Sequence, residues 1–262
     1  MNDKAALFRS LHTPGTPLVL VNAWDAATAR IAAASGSPAV ATTSAGVAWS
    51  LGAADGDTLD RDEAIAAIRR VVRAVDVPVT ADIESGFGAT PADVADTVCL
   101  VLAAGAVGIN IEDGSRTVDE QAARIAAARG AAGDGLFINA RLDAYLRGRG
   151  ELDETVARAA AFAEAGADGI FVPGVTDPST VAALAERVPA PLNILTGPGA
   201  PTVGELAKLG VARVSLGSWV AEAAYEMFRR VTVQALGQGT YAEELAEAYD
   251  FGELNDLMRY SA

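Results

Sequence analysis

Acidic residues recur in close pairs along this chain: Asp55 and Asp57, Asp82 and Glu84, Glu112 and Asp113. Asp82 and Glu112 each close a short β-branched run, Val-Thr-Ala-Asp and Gly-Ile-Asn-Ile-Glu. Carboxylates gathered at one place repel one another and hold on to protons unless a cation neutralises them. With one histidine and one cysteine in 262 residues, the nitrogen and sulfur sites that zinc prefers cannot be built. Mg²⁺ is the simplest candidate, because it takes one or two carboxylates directly and fills the rest of its octahedron with water. Asp82 is the candidate direct ligand, with Glu84, Glu112 and Asp55 holding its waters. Any one of these acids could instead cap the helix that follows it, where negative charge is favoured; several on neighbouring strands favour the metal.

Arg141 closes a further run, Phe-Ile-Asn-Ala-Arg. Its guanidinium could grip a substrate carboxylate as a two-pronged fork, or pair with Glu112 or Asp143. Ser44-Ala45-Gly46 follows another run and either offers backbone N–H groups to an oxyanion or forms an ordinary strand-end turn. Trp24 is placed to wall a pocket or to pack in the core. Cys99 lies in the helical stretch Ala92 to Ala103, with no histidine partner, and is expected to be buried packing rather than a nucleophile.

These residues need a frame that brings strand ends together. The apolar runs are Leu18 to Asn22, Ala39 to Thr42, Val79 to Asp82, Val107 to Glu112, Phe137 to Arg141, Gly169 to Val172, Leu192 to Leu195 and Arg213 to Leu216. Alanine-rich segments with helix-start signals separate them, and the turns AAGAVG, EAGADG and KLGVAR repeat one helix, glycine, strand design. About eight such units predict an α/β fold of the (β/α)8 barrel type, in which functional side chains gather at the C-terminal ends of the strands. A doubly wound sheet gives a similar alternation, but no GxGxxG opens a helix after the first run, Gly86-Phe87-Gly88 lacks the third glycine, and no phosphate-binding GxxxxGK[ST] occurs. His12, in a loop ahead of the first run, is expected at the barrel bottom, away from the chemistry.

Composition narrows the partners. The 20 basic and 34 acidic residues give a formal charge of −14, which argues against nucleic acid. A 51% hydrophobic, 21% charged chain has ordinary globular composition. The N-terminal stretch lacks the pattern of a signal peptide, and the apolar stretch Ala95 to Ile111 is interrupted by Gly105 and Gly108, short of a membrane span. The expectation is a cytoplasmic protein that meets a small carboxylate rather than a membrane.

The segments VNAWDAATARIAAASG, TTSAGVAWSLG, VTADIESGFG, GINIEDG, INARLDAYLRG and PLNILTGPGAP, spread over about Leu7 to Ala224, resemble the isocitrate lyase/phosphoenolpyruvate mutase superfamily and, within it, the carboxyphosphonoenolpyruvate mutase-like subgroup. The resemblance implies a Mg²⁺-dependent barrel forming homodimers or homotetramers that exchange the last helix, here Trp219 to Leu236 with the arm to Ala262, so that 1–262 is one domain and 219–262 reaches a neighbour. It further implies that Asp82 ligates the metal, that Glu84 and Glu112 hold its waters, and that Asp55 lies near the reacting oxygen. By the same likeness Ser44, Ala45 and Gly46 hold the substrate carboxylate, Trp24 is an aromatic wall, Arg141 binds an anion and Asn193 is a polar substrate contact.

Departures from the family pattern matter equally. The lyases carry a Lys-Lys-Cys-Gly-His loop where this chain reads Asp113-Gly114-Ser115-Arg116-Thr117, and Pro173-Gly174 stands where they carry Glu and the mutases His. The resemblance therefore points away from isocitrate cleavage and toward a Mg²⁺-dependent lyase or hydrolase of a small 2-oxo or 2-hydroxy dicarboxylate, working through an enolate. In that reading Asp55, Arg141 and Glu112 are the catalytic candidates. A P–C bond mutase and a non-catalytic metabolite-binding barrel are the alternatives.

Overall fold

Each apolar run becomes a parallel strand. In the computed structural model, which describes residues 3–241 and 245–259, the strands are β1 (Leu18–Leu20), β2 (Asn22–Ala23), β3 (Val40–Thr42), β4 (Val79–Asp82), β5 (Gly108–Glu112), β6 (Phe137–Arg141), β7 (Gly169–Val172), β8 (Leu192–Leu195) and β9 (Arg213–Ser215). They run around the sheet in the order β1, β9, β8 and so on down to β2. The first expected strand is divided at Val21: its lower half, β1, pairs with β9 and its upper half, β2, pairs with β3. That division closes the ring, so nine strands make the eight staves of a TIM-type barrel.

The helices follow in alternation: α1 (Asp3–Ser10), α2 (Ala26–Ala34), α3 (Ser44–Ser50), α4 (Arg61–Ala74), α5 (Pro91–Ala104), α6 (Val118–Ala132), α7 (Leu152–Glu164), α8 (Pro178–Arg187), α9 (Val203–Lys208), α10 (Trp219–Gln238) and α11 (Phe251–Arg259). Thr90, Thr117 and Thr202 start their helices with reciprocal capping boxes to Asp93, Glu120 and Glu205, and Asp25, Asp60 and Asp177 cap three more. Asp82, Glu84 and Glu112 are N-cap residues of none of these helices, which removes the simplest structural role for them.

The main core lies between the strands and the outer helices, where Ile109, Ile138 and Ile170 meet Val98, Ile125 and Phe162. The buried stripe of α5 is Val94, Thr97, Val98 and Val101, at the i, i+3, i+4, i+7 spacing of one helix face. Cys99 falls one position off that stripe and is exposed, contrary to the packing role expected from its apolar neighbours.

Inside the barrel, α1 closes the floor. Phe8 is fully buried, and the His12 ring stacks on Phe137 at 4.0 Å between centroids. Gly108 makes room for this plug, since a Cβ there would stand 2.7 Å from both the Phe8 ring and the Thr80 hydroxyl. Burial, with help from the Arg213 charge, drives the His12 pKa down to about 3, so the ring is a neutral packing element at the end opposite the strand termini.

Helix α10 departs from the pattern. Ala221 is its one buried residue, while Tyr225, Met227, Phe228, Val233 and Leu236 are exposed. The outer wall beside β1 and α2 is correspondingly open, forming an apolar groove of about 840 Å³ lined in part by Leu18, Val19, Val21, Ile31 and Val220. The expected exchanged segment ends in residues 260–262, and these, with 242–244, lie outside the described residues.

Candidate active site

Strand register sets the site. Asp82 pairs with Asn110, and Glu112 with Arg141, across adjacent strands at their C-terminal ends. The chain turns sharply after β4, with Glu84 in the left-handed region at φ 51°, so that Asp82 and Glu84 both reach the mouth. The Glu112 N–H donates to the Glu84 carbonyl at 2.9 Å, locking the two strand ends side by side.

A cavity of about 260 Å³ opens at this mouth, and Ser44, Ala45, Asp55, Asp82 and Arg141 all line it. Asp82 is held by the Thr42 hydroxyl, which accepts from its backbone N–H at 2.8 Å, and its Oδ1 accepts from the Glu84 N–H at 3.2 Å. Glu84 and Glu112 stand beside Asp82 without lining the cavity: the first accepts from the Asp57 N–H, the second pairs with Arg141 at 3.0 Å. Arg141 also donates to Asp143 at 2.7 Å. The ion-pair role weighed for it is present, to both acids, and the guanidinium stands at the mouth.

The electrostatics are those of an anionic pocket short of cations. Burial pushes the Asp82 carboxyl up, Arg141 opposing and Asp55 adding to the shift. Glu84 is pushed up to about 7 by burial and by Asp82, Asp57 and Asp55, against the Asp57 N–H. Glu112 is pushed up to about 7 by burial, which outweighs Arg141, with Asp82 and Asp143 reinforcing it. Burial pulls Arg141 down, but Glu112, Asp143 and Asp82 more than compensate and hold it above its ordinary range.

Three of the expected residues stand elsewhere. Trp24 lines the outer groove, not the mouth. Gly46 is a packing position: a Cβ there would lie 2.7 Å from Thr43 Cγ2 and 2.9 Å from Trp24 Cβ. Asn193 is sealed beneath the cavity, its amide donating to the carbonyls of Ile194 and Arg213 and to the Ser215 hydroxyl. The aromatics that do line the mouth are Phe171 and Trp219, the latter so close over residue 197 that a Cβ on Gly197 would meet its Nε1 at 2.3 Å. Asn22 fixes the loop that carries Trp219, accepting from the N–H groups of Leu216 and Gly217.

The divergent loops also have structural explanations. Asp113 is buried and committed, accepting from Arg158 at 2.7 Å and from the Asp143 N–H at 2.9 Å. Gly174, at φ 86°, admits the backbone of residues 145–146, since a Cβ would stand 2.6 Å from the Leu146 nitrogen. Backbone therefore fills the place where an acid or base could have stood.

Hard oxygen donors around a half-buried aspartate fit a small divalent ion. Among the described residues no group of three His, Cys, Asp or Glu side chains is disposed to hold one unaided, so water would complete the shell, as Mg²⁺ prefers. Among the described residues no helix is long and apolar enough to cross a membrane.

Comparison with known proteins sets this geometry in context. The family model described as phosphoenolpyruvate phosphomutase matches residues 8–236. An uncharacterised Mycobacterium tuberculosis protein is 41% identical over 216 residues, covering 80% of this chain and 81% of its own. A Burkholderia cenocepacia structure with a provisional lyase/mutase designation superposes with a TM-score of 0.91 at 41% identity, covering 98% of this chain and 96% of that one. A phosphonopyruvate hydrolase solved with oxalate and Mg²⁺ superposes with a TM-score of 0.85 at 26% identity, over 97% and 94%.

Proposed function

The chain belongs to the phosphoenolpyruvate mutase family of the isocitrate lyase/phosphoenolpyruvate mutase superfamily, and from that premise we propose a Mg²⁺-dependent lyase or hydrolase that cleaves a C–C bond of a small 2-oxo or 2-hydroxy dicarboxylate. Family relatives include lyases, hydrolases and mutases, so the reaction class rests on this chain's own mouth. The observation that carries it is one 260 Å³ cavity lined by Asp82, Asp55, Ser44 and Arg141, of a size for a four- or five-carbon acid.

Asp82 is the residue to hold the ion directly, with Glu84 and Glu112 orienting its waters. Bound there, Mg²⁺ supplies Lewis-acid stabilisation of negative charge on an enolate oxygen. Ser44 and the backbone of Ala45 orient the substrate carboxylate, and Arg141 faces its far end, held in place by Glu112 and Asp143. Asp55 lines the same cavity and is the group there to accept the proton from a substrate hydroxyl or from attacking water. The C–C electron pair then passes to the enolate, and the proton returns to its carbon. Phe171, Leu146 and Trp219 give the cavity its apolar walls.

Calorimetric titration of oxalate, a planar enolate mimic, tests the reading. Binding is expected with Mg²⁺ and not with EDTA; the absence of binding in both conditions would remove it. Turnover of phosphonopyruvate seen by phosphorus NMR, with no oxo acid cleaved, would select the P–C alternative.

The family premise extends to assembly. The groove beside β1 is open and apolar, and α10 exposes apolar side chains; the reading is that a second subunit's α10 fills the groove in a homodimer or homotetramer. Phe228→Asp with Leu236→Asp, at positions 73% and 84% exposed, is expected to leave a monomer in sedimentation velocity. An unchanged oligomer would place the interface elsewhere.

A further inference from the structure

We propose that Asn110 is a substrate-binding hydrogen-bond donor at the base of the mouth cavity and that Arg213 is the positioning residue that aims it. The inference rests on the enolate-site reading above and adds a recognition element to it.

Asn110 sits in the middle of β5 with its side chain inside the barrel, one strand from Asp82 and one from Asn139. Its Oδ1 accepts from Asn139 Nδ2 at 2.9 Å and from an Arg213 terminal nitrogen at 3.3 Å. A guanidinium is donor-only, so the atom facing Arg213 must be oxygen; the flipped amide would set N–H against N–H. The Asn110 NH₂ is thereby turned to the opposite side, where the residue lines the cavity. Among the described residues this NH₂ donates to no protein group, and it is not among the buried polar atoms sealed without a partner. It is an aimed donor open to the cavity.

The rest of the interior layer has the same polarity. Asn139 spends its NH₂ on the oxygens of Asn110 and Asn193, and Asn193 donates down to carbonyls and to Ser215. Arg213 is fully buried at the base of this ladder, donates to Ser215 Oγ at 3.3 Å, and has an Nη1 with no partner. Burying a guanidinium that forms no ion pair costs stability, and the Asp82 charge offsets that burial only in part. Its return is orientation: it holds Asn110 and Ser215, both of which line the cavity. With Arg141 already paired to Glu112 and Asp143, the Asn110 amide is an uncommitted donor, suited to a carboxylate or enolate oxygen of a planar dianion.

Oxalate affinity in the presence of Mg²⁺, measured by calorimetry on the intact protein, tests both parts. Asn110→Asp keeps an acceptor for Asn139 and Arg213 while removing the donor, so the fold is retained; Asn110→Ala removes both. Each is expected to weaken oxalate binding by roughly 10- to 100-fold, the range for a hydrogen bond to a charged group, with the Mg²⁺-induced rise in Tm preserved. Arg213→Lys is expected to weaken oxalate binding in the wild-type background and to have no further effect in the Asn110→Ala background. Wild-type affinity in both Asn110 variants would overturn the donor role and leave the enolate-site reading standing. Additive effects of Arg213→Lys and Asn110→Ala would overturn the positioning role. A wild-type protein that binds no oxalate would overturn this inference together with the reading beneath it.

Discussion

Asp82→Asn is expected to abolish Mg²⁺-dependent oxalate binding while leaving the metal-free protein at least as stable as the wild type. The two effects have one cause. Asp82 is held at the mouth with its charged form disfavoured by burial and by Asp55, so in the absence of a cation its carboxylate is a local cost. Asparagine keeps the shape and keeps an oxygen for the Glu84 N–H that Asp82 now receives at 3.2 Å. It removes the charge that makes the position a ligand for a hard ion. Loss of outer-sphere partners alone costs metal sites about 10–100-fold in affinity, so losing the direct ligand should exceed that. Calorimetry with Mg²⁺ and thermal melts in EDTA read the two effects separately. Undiminished Mg²⁺-dependent binding would take Asp82 out of the metal site, and a Tm several degrees lower in EDTA would make its role structural.

The barrel was legible because a parallel strand buried on both faces reads as an unbroken apolar run, and the residue that ends such a run faces the mouth. That logic placed Asp82, Glu112 and Arg141 on adjacent strand ends, where register puts them. It failed wherever position depends on something other than a strand end. Trp24 and Trp219 are equally aromatic, but the first follows β2 onto the outer wall and the second follows β9 back over the mouth; only the path of the connecting loop separates them. The family likeness alone makes Asn193 a substrate contact, yet it stands two residues before the strand end and spends its hydrogen bonds below the cavity. A signal for the interior ladder was present in the triplets Ile-Asn-Ile, Ile-Asn-Ala and Leu-Asn-Ile on three strands, an apolar-polar-apolar alternation pointing inward. Which of the three amides opens to the cavity is decided by Arg213, a long-range contact with a sequence separation of 103.

In EDTA the folded protein should lose stability as pH rises toward and through 7, and saturating Mg²⁺ should restore it. Glu84 and Glu112 are pushed up to about 7 in the folded chain from an ordinary 4.5. Between those values the folded state keeps protons that the unfolded state has released, so each rise in pH favours unfolding; the stabilisation is complete below the ordinary value and gone above about 7. A shift of this size corresponds to about 3 kcal/mol for one group acting alone. The two carboxylates share Asp82 as a neighbour, so their effects merge rather than add. His12 acts in the opposite sense up to pH 6.5, so the net drop in Tm between pH 5 and 8 is expected to be roughly a few degrees, most of it above pH 6.5. The helix-capping acids Asp93, Glu120, Asp177 and Glu205 are shifted the opposite way, which confines their influence to lower pH, whereas His12, pushed down from 6.5 to about 3, opposes the mouth acids by gaining stability as pH rises to 6.5. A cation bound between the carboxylates reverses the sign, since it binds the ionised forms and must displace protons below pH 7. The Mg²⁺-induced rise in Tm should therefore be small at pH 5 and grow until about pH 7, and a rise of constant size across that range would mean that the ion binds away from Glu84 and Glu112.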